Sequence, residues 1–169
     1  MSLRRKISVG AIVATAVAGL TATSAAPAAA DTVRGVYNCV PLGVVMYQDT
    51  FDITITAPAT ATPGQTVTVQ VTVAQTEPTT VAIAAGRYQA VAGVEISGAG
   101  AASTSVTLTH TDIPIGTPPW TSGSTQVTLP TEGTATYKLG RYNTTSPHRI
   151  YCVPANQSSV PVAATTRVS

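Results

Sequence analysis

His110 and Asp112 stand two residues apart at the end of a strand-like run, and His148 lies near the last such run. Imidazole and carboxylate in that arrangement could transfer protons or ligate a metal. Recognisable catalytic metal sites take three protein ligands, often two of them on one regular element at fixed spacing, and no segment here repeats such a pattern. The plainer role of His110 and Asp112 is to fasten a strand end to a loop. The chain holds no Gly-x-Ser-x-Gly, no His-Glu-x-x-His and no phosphate-cradling glycine loop. With two histidines and seven acidic residues in all, material for a catalytic triad is scarce. The residues therefore assign no catalytic group, cofactor site or metal site, and a non-enzymatic protein is expected, with a hydrolase as the weaker reading.

Other chemistry-bearing residues point to cross-linking and recognition. The only two cysteines, Cys39 and Cys152, lie near opposite ends of the chain. Two cysteines so far apart in an exported protein are expected to form a disulfide, and closing such a loop contributes ~4 to 5 kcal/mol on the chain-entropy model. Trp120, the only tryptophan, follows Pro114, Pro118 and Pro119 in the stretch Asp112 to Ser122. An aromatic on a proline-stiffened loop suits a binding hot spot, or covers one end of the core. Arg141, Tyr142, Arg149 and Tyr151 form a second cluster that could present cationic and aromatic groups together, or form a solvated strand face.

The beginning of the chain has the three parts of an export signal: Arg4, Arg5 and Lys6, an apolar run from Ile7 to Leu20, and Ala28-Ala29-Ala30 as a cleavage site. Residues 1–30 are thus expected to be a signal peptide, with the exported chain starting at Asp31. Arg4-Arg5 leaves the twin-arginine and general secretory routes both open. The exported part, about 140 residues, suits one domain. It carries six of the nine basic residues and all seven acidic ones, so the precursor's formal charge of +2 becomes about −1. That near-neutral balance excludes charge-driven nucleic-acid binding, and no segment reads as a membrane anchor once the signal is removed. The protein is expected outside the cell, free or loosely associated with the wall. Only 9% of residues are charged, against ~25% in a usual soluble protein, so hydroxyl groups must make up much of the surface.

The elements that must position these groups are strands. In Thr66 to Val73, valines at 67, 69, 71 and 73 alternate with Thr66, Thr68, Gln70 and Thr72, the period of a half-buried strand. The same period runs through Phe51-Ile53-Ile55, Val106-Leu108 and Ala135-Tyr137-Leu139. Shorter candidates are Val33 to Val40, Thr80 to Ala84, Val94 to Ile96, Gln126 to Leu129 and Arg149 to Val153. Turn residues such as Pro63-Gly64, Gly98 to Gly100 and Glu132-Gly133 separate them. About seven to nine short strands with one wet face each describe a single antiparallel β-sandwich over residues 31–155. Strand phase places Cys39 with Tyr37 and Cys152 with Ile150, towards the core, and Arg149 and Tyr151 on the opposite face. Residues 156–169 are expected to form a tail or a weak edge strand.

Tyr37-Asn38-Cys39 in the first strand, the Pro58 to Gln65 stretch leading into a Thr/Val strand, and the late Cys152 resemble small secreted actinobacterial proteins that carry an immunoglobulin-like domain of unknown function. That resemblance implies an immunoglobulin-like sandwich and export, and brings no catalytic residues. The expected role is an extracellular or cell-surface binding or structural module whose loops engage a protein or glycan. Ala102 to Thr107 is also similar to a strand of the secreted chromoprotein carriers related to neocarzinostatin. That likeness implies carriage of an apolar small molecule, which requires an apolar pocket of ~300 Å³ or more.

Overall fold

The computed structural model describes residues 30–41, 46–146, 149–156, 158 and 160–169. The expected signal segment lies outside them except for Ala30, as does His148. Ten strands follow in order: β1 (Thr32–Pro41), β2 (Tyr47–Thr56), β3 (Thr60–Ala61), β4 (Gln65–Gln75), β5 (Gln89–Ser97), β6 (Thr104–Leu108), β7 (Trp120–Leu129), β8 (Gly133–Ser146), β9 (Ile150–Pro154) and β10 (Ala164–Val168). No α-helix occurs among the described residues.

Period-two patterning accounts for the strands directly. In β4 the valines at 67, 69, 71 and 73 are all buried, whereas Thr66, Thr68 and Gln70 are exposed. Phe51, Ile53 and Ile55 of β2, Val106 and Leu108 of β6, and Ala135, Tyr137 and Leu139 of β8 are buried in the same way. Covering one face while wetting the other is what alternation of β-branched and hydroxyl residues selects.

All strands belong to one sheet, with the order β3-β10-β8-β9-β1-β2-β4-β7 and a branch in which β5 pairs with β8 and with β6. The long strand β8 makes the branch possible. Its N-terminal part pairs with β10 and its C-terminal part with β9, while its other edge runs along β5. Between these arms lies one hydrophobic cluster that draws on both. The Tyr37 hydroxyl of β1 crosses it to donate a hydrogen bond to the Leu139 carbonyl of β8 at 2.8 Å. That carbonyl sits beside a bulge, where Gly93 of β5 alone faces Gly140 and Arg141. The sheet is not closed: the outer edges of β6 and β7 meet only at the bridge Thr109–Ser122. Gly123 lies at that approach, where a Cβ would collide with the Thr107 carbonyl oxygen.

Three expectations change. The strand count is ten: eight of the nine expected stretches fall in strands, and the two-residue β3 and the late β10 add two more. The sheet is mixed rather than purely antiparallel, because β10 runs parallel to β3 while every other pairing is antiparallel. Thr80 to Ala84 is not a strand: its one ladder position is the bridge Ile83–Ile113, within two loops that pair with each other.

In the segment 156–169, Ala164 to Val168 forms β10, which pairs with β8 on one side and β3 on the other. Thr166 there is fully buried. Its hydroxyl donates to the Pro58 carbonyl at 2.7 Å, which leaves its oxygen to accept from the Tyr137 hydroxyl at 3.2 Å. Hydroxyl chemistry inside the core thus holds the C-terminal strand, which its plain Ala, Thr and Val content does not advertise.

The disulfide joins Cys39 of β1 to Cys152 of β9, directly opposed residues with Cα atoms 4.0 Å apart. It spans 113 residues of sequence, a loop whose closure is worth ~5 kcal/mol on the chain-entropy model. The double substitution Cys39→Ala, Cys152→Ala is expected to lower the unfolding free energy in urea by about that amount. A loss below ~1 kcal/mol would show that the unfolded chain is already restricted without the bridge.

Candidate functional site

One end of the core opens into a cleft of about 440 Å³. Its floor is made by core residues from four strands: Phe51 of β2, Val73 of β4, Tyr142 of β8 and Cys152 of β9. Asp49, Tyr88 and Trp120 are half-buried in its lining, and Tyr47, Gln75 and Glu77 are exposed at it. Alternation explains the β2 contribution, since Tyr47 and Asp49 continue the inward phase of Phe51, Ile53 and Ile55 beyond the point where the core ends. The rings of Tyr37, Phe51 and Tyr142 follow one another with centroids 5.3 Å apart at each step, in tilted contact.

Two long connections bound this end. The β4–β5 loop and the β6–β7 loop run along each other: Thr79 N–H donates to Thr117 O, Gly116 N–H donates to Thr79 O, and Ile83 and Ile113 exchange both backbone bonds. The Gln75 N–H donates to the Pro119 carbonyl at 2.8 Å, fixing the approach to Trp120, the first residue of β7. His110 and Asp112 fasten this pair of loops. His110 is buried, and its Nε2 accepts the Tyr88 N–H at 2.9 Å. The proton must then sit on Nδ1, which donates to the Thr111 carbonyl at 2.6 Å. The Asp112 carboxylate accepts the Ala85 N–H at 2.8 Å. Both ring nitrogens of His110 are committed to backbone groups, and no cluster of three metal-ligating side chains occurs among the described residues. His110 and Asp112 therefore serve as loop fasteners.

The cluster expected from Arg141, Tyr142, Arg149 and Tyr151 does not form on one surface. Tyr142 pairs with Cys152 across β8–β9 and shares its inward phase, so its side chain is buried. Its hydroxyl pairs with that of Thr121 at 3.3 Å. Arg141, Arg149 and Tyr151 are exposed. Arg141 lines a second, more open hollow of about 620 Å³ with Gly93, Ser103 and Val153, which has no aromatic residue in its lining. Tyr142 belongs to the cleft, whereas the other three residues lie outside its lining.

Asp49 is the half-buried carboxylate of the cleft, with Glu77 exposed at it. Burial holds its carboxyl above the ordinary carboxylate value, offset in part by the hydrogen bond it accepts from the Thr50 N–H at 2.8 Å. The Tyr142 hydroxyl is pushed up by burial first and by the Asp49 charge among lesser causes, and Tyr47 is raised by burial and by Asp49. The ion pair found among the described residues, Arg34–Asp52 at 2.7 Å, lies on the outer surface and leaves Asp49 without a cation.

Of the residues singled out in the sequence for recognition, Trp120 and Tyr142 line the cleft, and Tyr47, Asp49, Phe51, Glu77 and Tyr88, for which no such expectation was drawn, line it as well. The alternation of β2, extended two steps towards its start, was the available signal for Tyr47 and Asp49. Compared with protein-family models, curated proteins and solved structures, the chain matches none.

A carboxyl whose folded pKa is raised adds stability below its unfolded value and loses that contribution as pH rises through the folded value. Asp49→Asn is accordingly expected to raise the thermal midpoint at pH 7 relative to the unaltered protein. The difference should vanish on acidification below the ordinary carboxylate value, about 4. A midpoint that falls at pH 7 would show that the Asp49 charge is stabilised in the free protein.

Proposed function

We propose that this protein is a secreted, non-enzymatic binding module, an immunoglobulin-like β-sandwich that seats a small organic ligand in the cleft at one end. The observation that carries this reading is where the scarce aromatic residues go. The single Trp, the single Phe and three of the six Tyr line one cleft. Rings of this size are normally consumed in the core. Here Tyr88 and Trp120 are left half-buried around an opening whose volume lies within the ~300–1,000 Å³ usual for small-molecule sites. The disulfide fits an oxidising, extracellular setting, and no helix among the described residues is long and apolar enough to cross a membrane.

A small ligand suits this geometry better than the protein or glycan first expected, because the concavity is the size of one molecule and its bounding loops are bonded to each other. The second reading, a carrier of an apolar compound, is favoured by the same volume, which exceeds the ~300 Å³ that such a role needs. Binding module and carrier then differ in the fate of the occupant, not in its seat.

N-phenyl-1-naphthylamine, a neutral apolar fluorophore, tests the seat. Saturable one-site binding is expected, with transfer of excitation from Trp120. Trp120→Ala should weaken binding about tenfold or more, ~1.4 kcal/mol, while leaving the urea midpoint close to that of the unaltered protein. Binding that does not saturate, or that is equal in both proteins, would refute the proposal.

A further inference from the structure

Resting on the reading of the cleft as a ligand seat, we infer that its occupant is a small organic cation, an ammonium or guanidinium group on an apolar body.

The charges lining the cleft are of one sign. Asp49 and Glu77 contribute carboxylates, and no lysine or arginine is among the described lining residues. His110 is present, but its ring is held by two backbone groups in a neutral tautomer. Asp49 is an anion drawn partly out of water with no ion-pair partner among the described residues. Its hydrogen-bond partner is one backbone N–H. Removing an ionised carboxylate from water is costly unless a counter-charge accompanies it, so an arriving cation offsets a cost the free protein already carries.

The surrounding rings supply the second half of the match. Tyr47, Phe51, Tyr88, Trp120 and Tyr142 come from β2, the β4–β5 loop, β7 and β8 to one lining. Aromatic faces attract cations through the ring quadrupole, most strongly for Trp, and the attraction grows where water is displaced. An anionic ligand would meet two carboxylates and no basic group. A neutral apolar ligand would use the rings and leave Asp49 unpaired. An organic cation uses both.

Other features of the molecule offer less. The hollow along Gly93 and Arg141 is open and lacks aromatic lining. The exposed Val36, Val40, Tyr151 and Val153 on the outer face of β1 and β9 have nothing beside them to identify an occupant.

Three ring-sized probes of differing charge test the inference by calorimetry on the exported chain at pH 8: phenyltrimethylammonium, neutral 4-tert-butylphenol and benzenesulfonate. The cation is expected to bind about tenfold more tightly than the neutral probe, and the anion not at all. Asp49→Asn should remove most of the cation's advantage over the neutral probe, with the thermal midpoint confirming that the variant is folded. Equal affinities for cation and neutral probe, or a cation preference that survives Asp49→Asn and Glu77→Gln together, would overturn the inference while sparing the ligand seat. Failure of all three probes together with N-phenyl-1-naphthylamine would refute both.

Discussion

The register that the Cys39–Cys152 bridge locks between β1 and β9 is the constraint on which the rest of the molecule depends. Paired residues form one row across six strands: Tyr47, Cys39, Cys152, Tyr142, Ala92 and Val106. The disulfide sits inside that row, and its neighbours on either side are cleft residues. Because side chains alternate with a period of two, a slip of one residue between β1 and β9 would turn Cys152 outward and exchange Ile150 and Tyr151 between core and solvent. β9 is only five residues long and begins at Ile150, shortly after the long β8 ends at Ser146. So short a strand has little hydrophobic pattern with which to choose its own register, and the covalent bond does so instead.

Above this row the cleft exists because the core runs out before the sheet does. β2 keeps its inward phase past Phe51, yet the two loops opposite are held by each other rather than by core packing. Their backbone groups are satisfied laterally, through Thr79 with Thr117 and Ile83 with Ile113, and by the side chains of His110 and Asp112. Loops that meet their own hydrogen-bonding needs can bridge a gap without filling it. No buried side-chain nitrogen or oxygen among the described residues lacks a partner. The space between β2 and the loops is therefore compatible with a stable fold.

The unequal legibility of fold and site in the sequence has a physical basis. Strand identity was readable wherever one local period acts alone, as in β4, and the disulfide was readable because two cysteines permit one pairing. The parallel contact of β10 with β3 was not, because it depends on Thr166 finding Pro58 and Tyr137, contacts with no local signature. The cleft was half legible. Trp120 stood out by its prolines, but Tyr142 read as a surface residue until cross-strand register placed it opposite Cys152. Assembling Tyr47, Asp49, Tyr88 and Trp120 requires non-local pairing, which periodicity does not encode.

Scarcity of charge connects the outer surface to the cleft. Where other proteins use ion pairs across strands, this sheet uses hydroxyl pairs: Thr32 with Thr54 at 2.8 Å, Thr66 with Thr128 at 2.9 Å and Ser97 with Thr136 at 2.6 Å. Such pairs steady the outer face at little electrostatic cost and without long-range fields. On a molecule densely covered with both signs, two carboxylates at one opening would be lost in the average potential. Here 9% of residues are charged, Asp52 is paired with Arg34, and Asp49 and Glu77 share one opening with no lysine or arginine in its described lining. Low-dielectric walls focus the field of such charges towards the opening. The same hydroxyl-rich composition that makes the chain read as featureless thus leaves few opposite charges to screen the two carboxylates of the cleft.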